Sequence, residues 1–139
     1  MEKSKLTGQT KDAGLQIGVR KTFPVSVNAA WEYLFSKEGF HVWLGTINPD
    51  EFEVNKVYNT LEGIEGKVTV LNPYSHVRLT WKPKNWTNYS ALQLRVINSK
   101  DRATISFHQD KLVSSNQRQD MKLYWDKVME KIGAGLLNK

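Results

Sequence analysis

The stretch His76-Val77-Arg78-Leu79-Thr80-Trp81-Lys82 alternates without a break, with Val77, Leu79 and Trp81 on one side and Arg78, Thr80 and Lys82 on the other. Successive side chains of a strand point to opposite faces, so this pattern builds a strand with one buried and one wet face. The same period of two continues outward. Upstream, residues 66–71 put Val68 and Val70 on one face, and residues 56–61 read as a further strand. Downstream, residues 90–98 set Leu92, Leu94 and Val96 against Gln93 and Arg95. Residues 102–110 set Ala103, Ile105 and Phe107 against Thr104, Ser106 and His108. Residues 16–23, with Ile17, Val19 and Phe23 on one face, form a strand that Pro24 stops. The connections carry turn chemistry: Glu62-Gly63, Asn72-Pro73 and Asn98-Ser99-Lys100-Asp101. Strands with one covered and one solvated face belong to an antiparallel sheet.

The rest of the chain changes period. Ser26 is placed to cap a helix in which Val27, Ala30, Trp31, Leu34 and Phe35 recur at helical spacing, a single apolar stripe. A short second helix holds Phe40, Trp43 and Leu44 before Gly45 ends it. Residues 114–137 form a long terminal helix, capped by Ser114 or Ser115. Its stripe is Met121, Tyr124, Trp125, Val128, Met129, Ile132 and Leu136, and Gly133 and Gly135 weaken its last turns. A sheet with one apolar face must cover it, and only this helix carries a stripe long enough. The expectation is an α+β domain in which a curved antiparallel sheet grips the C-terminal helix. Residues 1–15, polar and containing Lys3, Lys5, Lys11, Gly8 and Gly14, read as a loose arm, leaving 16–139 as one domain.

These elements also carry a resemblance. Phe23-Pro24-Val25-Ser26, Ala30-Trp31, Trp43-Leu44-Gly45, Leu71-Asn72-Pro73, His76-Val77-Arg78-Leu79-Thr80-Trp81 and Tyr124-Trp125 together look like the activator-of-heat-shock-protein-ATPase (AHSA) type of domain. That family lies in the START-like, birch-pollen-allergen-like SRPBCC superfamily. The resemblance covers about residues 16–137 and rests mostly on core aromatics and turns. It implies a helix-grip fold with a cavity between sheet and C-terminal helix. In the wider superfamily such cavities take lipids, hormones and polyketides, and some members are cyclases or oxygenase components. The chaperone-activator role implied by the family relies on a separate N-terminal domain, which is not expected within these 139 residues.

Composition bounds the chemistry. The chain has 139 residues, of which 40% are hydrophobic and 24% charged, which suits one globular domain. It has no cysteine, so disulfides, thiolate nucleophiles and cysteine-ligated metals are excluded. No apolar run is long enough to span a bilayer, so membrane insertion is not expected. The N-terminus lacks the apolar stretch of a signal peptide, and the default location is the cytoplasm. The formal charge is +6, but residues 25–110 hold nine basic and nine acidic groups, and the excess sits at the two ends. A neutral middle argues against nucleic acid. The nearest approach to a base-stacking patch is Trp81-Lys82-Pro83-Lys84-Asn85-Trp86, which reads as a strand end entering a proline-containing loop. The sequons Asn85-Trp86-Thr87 and Asn88-Tyr89-Ser90 are chance matches in a chain with no secretion signal.

Catalytic constellations are missing. There is no Gly-x-Ser-x-Gly elbow and no phosphate loop, and His41, His76 and His108 lie in separate segments without metal-ligand spacing. The pairs Glu51/Glu53 and Glu62/Glu65 read as solvated charge, and Arg78 and Arg95 fall on wet faces. No metal or cofactor is expected. Five Trp, five Tyr and five Phe remain, many of them on apolar stripes. With the cavity that the resemblance implies, Trp43, Leu79, Trp81, Leu92, Leu94, Met121, Tyr124 and Trp125 are assigned to its wall, with the Tyr124 hydroxyl orienting a ligand. His41, between Phe40 and Trp43 where the family places a pocket wall, is a possible polar contact. The expected function is non-catalytic binding of a small hydrophobic molecule, lipid-like or aromatic. The alternatives are a protein-interaction module linked to a chaperone or stress response, and a cyclase- or hydrolase-type enzyme using His41 or Tyr124.

Overall fold

The computed structural model describes residues 9–10 and 14–137. Its strands are β1 (Gln9–Thr10), β2 (Gly14–Phe23), β3 (Val57–Asn59), β4 (Glu65–Asn72), β5 (His76–Trp81), β6 (Ser90–Ser99) and β7 (Arg102–Leu112). Its helices are α1 (Val27–Leu34), α2 (Lys37–Trp43) and α3 (Ser115–Leu137), with a 3-10 turn at Pro49–Glu51. The seven strands form one antiparallel sheet in the order β1-β2-β7-β6-β5-β4-β3. Helix α3 covers its apolar face, the α+β helix-grip arrangement. Most of the expected arm, residues 1–15, lies outside the described residues. Of the remainder, β1 pairs with β2, and β2 starts at Gly14 rather than at residue 16.

Local chemistry explains the joints. Beyond Pro24, Ser26 Oγ accepts from Ala29 N at 3.0 Å and starts α1, and Ser36 Oγ accepts from Gly39 N at 3.1 Å and starts α2. Helix α2 closes with Leu44 N and Gly45 N both donating to Phe40 O, and Gly45 leaves it at φ +140. A β-carbon there would press into Thr60 and Glu62, so a glycine lets two loops meet. The β6–β7 turn places Lys100 and Asp101 both at positive φ, the twist-matched hairpin geometry, and Asn98 Oδ1 accepts from Asp101 N.

Helix α3 runs beside β2 in the same direction. Arg118 Nε donates to Gln16 O at 2.8 Å near one end, and Gly133 backs onto the Phe23 ring near the other. The two helix glycines therefore have a use, since a side chain at Gly135 would collide with Tyr33. Met121, Trp125, Val128, Met129 and Ile132 are buried, while Tyr124 and Leu136, on the flanks of the same stripe, are half-buried.

Two expectations fail locally. Val68 is fully buried but Val70 is 38% exposed, because the β4–β5 register slips between them. The extra residue resets the alternation and puts Val70 beside Arg78 on the wet face. The strand expected over 56–61 shrinks to Val57–Asn59, and Leu61 enters the following turn at 85% exposure.

Candidate functional site

The residues assigned to a cavity wall meet in the interior, row by row. Trp81 on β5 faces Ser90 on β6. Leu79 faces Leu92, which faces Gln109 on β7. Val77 faces Leu94, which faces Phe107. Above them α3 brings Met121, Tyr124 and Trp125, and α2 brings Trp43. The rings are in contact. Phe107 and Trp125 stack at 4.4 Å between centroids, Tyr124 stands edge-on to Trp125 at 4.8 Å, and Trp81 lies 6.0 Å from Tyr124. All eight residues are buried except Tyr124, which is half-buried. They form a packed interior in which rings fill one another's gaps.

Three described concavities, of about 410, 520 and 410 Å³, have none of the eight on their walls. They gather instead around the edge strand β3, and Asn59 borders all three.

Polar groups run through this interior. Trp125 Nε1 donates to Gln109 Oε1 at 2.8 Å, Gln109 Nε2 to Ser90 Oγ at 2.9 Å, and Ser90 Oγ to Trp81 O at 2.8 Å. Trp43 Nε1 donates to Leu34 O at 2.8 Å. Trp81 Nε1 is buried without an acceptor among the described residues. Such orphans are uncommon, because a buried donor without a partner forfeits its hydration for nothing. The only other buried side-chain polar atom of this kind among the described residues is Asp110 Oδ1, one position from Gln109 and therefore on the opposite face of β7.

The loop between β5 and β6 lies against the Trp81 ring. Trp86, half-buried, stands edge-on to Trp81 at 5.4 Å and 78°. The loop is tied to the start of α3 by an amide pair: Gln117 Nε2 donates to Asn88 Oδ1 at 2.9 Å, and Asn88 Nδ2 to Gln117 Oε1 at 3.3 Å. Ser114 Oγ accepts from Gln117 N, which holds that glutamine in the capped first turn.

The sequence reading overlooked Ser90, Gln109 and the Asn88–Gln117 pair. Ser90 and Gln109 carried a signal, since each continues the inward parity of an apolar strand face. Asn88 and Gln117 carried none.

His41 lies outside this interior, exposed on α2. Thr46 Oγ1 donates to Glu62 Oε2, and Thr46 N donates to Glu62 Oε1 at 2.7 Å. The Thr46 hydroxyl has one hydrogen, so His41 Nδ1, 3.1 Å away, is the donor to it. The Thr46 hydroxyl and then its backbone N–H hold the Glu62 carboxyl below the usual carboxylate range. Glu62 is thus the anchor of a loop clamp rather than a free charge.

Tyr124 extends its hydroxyl toward Trp43 O at a long 3.4 Å. Burial, and secondarily the Glu62 charge, push its phenol up to about 12. Tyr58 is also pushed up, chiefly by burial, and its hydroxyl donates to Thr80 O at 2.6 Å. The unfolded chain releases these protons near pH 10, before the folded one does. Each contribution is therefore complete below about pH 10 and is lost as pH rises through the folded-state value, about 12 for Tyr124 and higher for Tyr58. The urea midpoint should fall as pH rises above about 10, with phenolate absorbance from the buried Tyr58 appearing only as the chain unfolds. Full titration of all five tyrosines near pH 10 in the folded protein would contradict it.

No protein-family model matches the chain, and no curated protein does. Solved structures do. DynU16, a protein in the dynemicin biosynthetic locus, superposes with a TM-score of 0.77 at 12% identity over 87% of this chain. This chain spans 46% of DynU16's length. The Aha1 dimer from Colwellia psychrerythraea gives 0.68 at 14% identity, covering 87% of this chain and 95% of that one. PFC0360w, an HSP90 activator from Plasmodium falciparum, gives 0.61 at 14% identity, covering 75% and 78%. At these identities the likeness is one of fold.

Proposed function

We propose that this domain, START-like and AHSA-type in fold, binds a small hydrophobic molecule between its sheet and α3 and performs no chemistry on it. The observation that carries this reading is the Trp81 indole N–H, buried in a ring cluster with Trp86, Tyr124 and Trp125 and with no acceptor among the described residues. Ligand sites are apolar recesses with a few fixed polar groups, and a donor left unused beneath a loop is such a group. Binding requires the loop to move, as lids do. Native mass spectrometry of the protein as purified, followed by denaturing extraction, tests the reading. The expected result is a co-purifying small molecule released on denaturation, or saturable uptake of lipid or aromatic probes by the empty protein. Failure of both overturns it.

A second reading has its own observation. Arg20 and Arg95 flank Ser106 across three strands of the wet face, and Arg78 lies one row along, beside Gln93. All three arginines are exposed, and none forms an ion pair among the described residues. This face suits an acidic protein surface, and two of the similar folds are an Aha1 dimer and an HSP90 activator. On this reading the chain raises the ATPase rate of an HSP90 in a salt-sensitive manner. The effect would survive a filled interior and vanish in an Arg20→Ala/Arg95→Ala double variant. An unchanged ATPase rate at low salt excludes it.

A further inference from the structure

We propose that Trp86 is a resident plug, and that the ligand displacing it is a flat apolar ring system of about indole size with one acceptor oxygen, taken by Trp81 Nε1. This rests on the binder reading and adds to it the anchor, the entry and the ligand's chemistry.

Three observations converge. The first is selective dissatisfaction. Trp43 and Trp125 share the interior with Trp81, and their N–H groups reach Leu34 O and Gln109 Oε1. Trp81, 2% exposed, has no equivalent among the described residues. The second is what stands beside it. An indole ring has a donor and no lone-pair acceptor, so Trp86 lies against Trp81 without offering its N–H a conventional hydrogen bond. A ring of similar shape bearing a carbonyl or ether oxygen would fill the same space and bring an acceptor to that N–H.

The third is the attachment of the plug. Among the described residues, the backbone of the 83–89 loop makes one hydrogen bond outside the strands, the local Trp86 N to Pro83 O. Asn88 provides the link to α3, through Gln117, and also donates to Lys111 O at 3.4 Å. Both ends of this latch are amides that water replaces readily once the loop lifts. Trp86 is already half-buried, so its release exposes only part of a ring, while an incoming ring recovers the vacated contact.

A matched pair of probes tests this on the full chain: acetylnaphthalene and ethylnaphthalene, alike in shape, of which only the first has an acceptor. Proton–nitrogen correlation spectra give one indole signal per tryptophan, five in all, and Trp81→Phe and Trp86→Phe assign the two that matter. The acetyl compound should bind about tenfold more tightly, as one recovered buried hydrogen bond implies. It should also move the Trp81 N–H signal downfield. Trp81→Phe should abolish the preference while ethylnaphthalene still binds.

Equal affinities with an unmoved Trp81 signal would overturn the anchor and leave the binder reading standing. Binding of neither probe, nor of any lipid or aromatic compound, would overturn both. For the plug, Trp86→Ala should tighten binding of both probes, because the competing ring is gone, and weaker binding would overturn it. If that variant does not fold, Asn88→Ala serves instead. A faster association rate with an unchanged fold supports the latch, and an unchanged rate rejects the latch and the plug together.

Discussion

Trp125→Ala lowers the unfolding free energy by about 3–5 kcal/mol, the range for truncating a large buried ring. The ring is 1% exposed, stacks on Phe107 at 15° and touches Tyr124 and Trp81. Its removal leaves a void between sheet and helix that the neighbouring strands, tied by their ladders, cannot close. It also strips Gln109 Oε1 of its donor. Trp125→Phe helps separate the two contributions, keeping a six-membered ring in place while losing the N–H and part of the ring volume. Urea unfolding of the three proteins measures the difference. A loss below about 1 kcal/mol for the alanine variant would mean that the ring already borders open space.

Gln109→Leu is the second large effect, about 1–3 kcal/mol, and it acts by a different route. Leucine approximates the volume of glutamine and suits an apolar interior, so packing suffers little. What suffers is Trp125 Nε1, left buried without an acceptor, while Ser90 loses a donor yet still bonds Trp81 O. The double variant Gln109→Leu/Trp125→Phe removes donor and acceptor together and should recover part of the loss. Strict additivity of the two single changes would show that the bond contributes nothing of its own.

The bond also fixes the setting of the candidate site. Ser90 donates to the backbone of Trp81, so the chain from Trp125 through Gln109 holds the residue whose own indole N–H has no partner among the described residues. A site needs rigid support around the group that meets a ligand. Here that support is a three-link hydrogen-bond chain crossing β5, β6, β7 and α3.

How much of this was readable beforehand depends on how far apart the relevant residues lie. Val77, Leu79 and Trp81 declare a face within six residues, and Met121 to Ile132 declare one within twelve, because side-chain direction follows backbone period. The caps at Ser26 and Ser114 and the hairpin turn at Lys100-Asp101 are equally local. The element order then leaves α3 as the covering helix.

What periodicity cannot carry is register, the closure of loops and the state of the interior. One extra residue in β4 turned Val70 to water, although its alternation with Val68 is unbroken in sequence. Glu62 read as solvated charge, yet a glycine at φ +140 brings Thr46 against it from sixteen residues away. Ser90 and Gln109 are nineteen residues apart, and only strand pairing makes them partners. Trp86 read as part of a proline-containing loop, and it covers Trp81 because Asn88 finds Gln117 across twenty-nine residues. The aromatic stripes were evident from spacing alone. That their rings stack on one another, and that one indole N–H among them goes unmet, follows from how the layers close in three dimensions, since hydrogen-bond satisfaction is a property of neighbours and not of order along the chain.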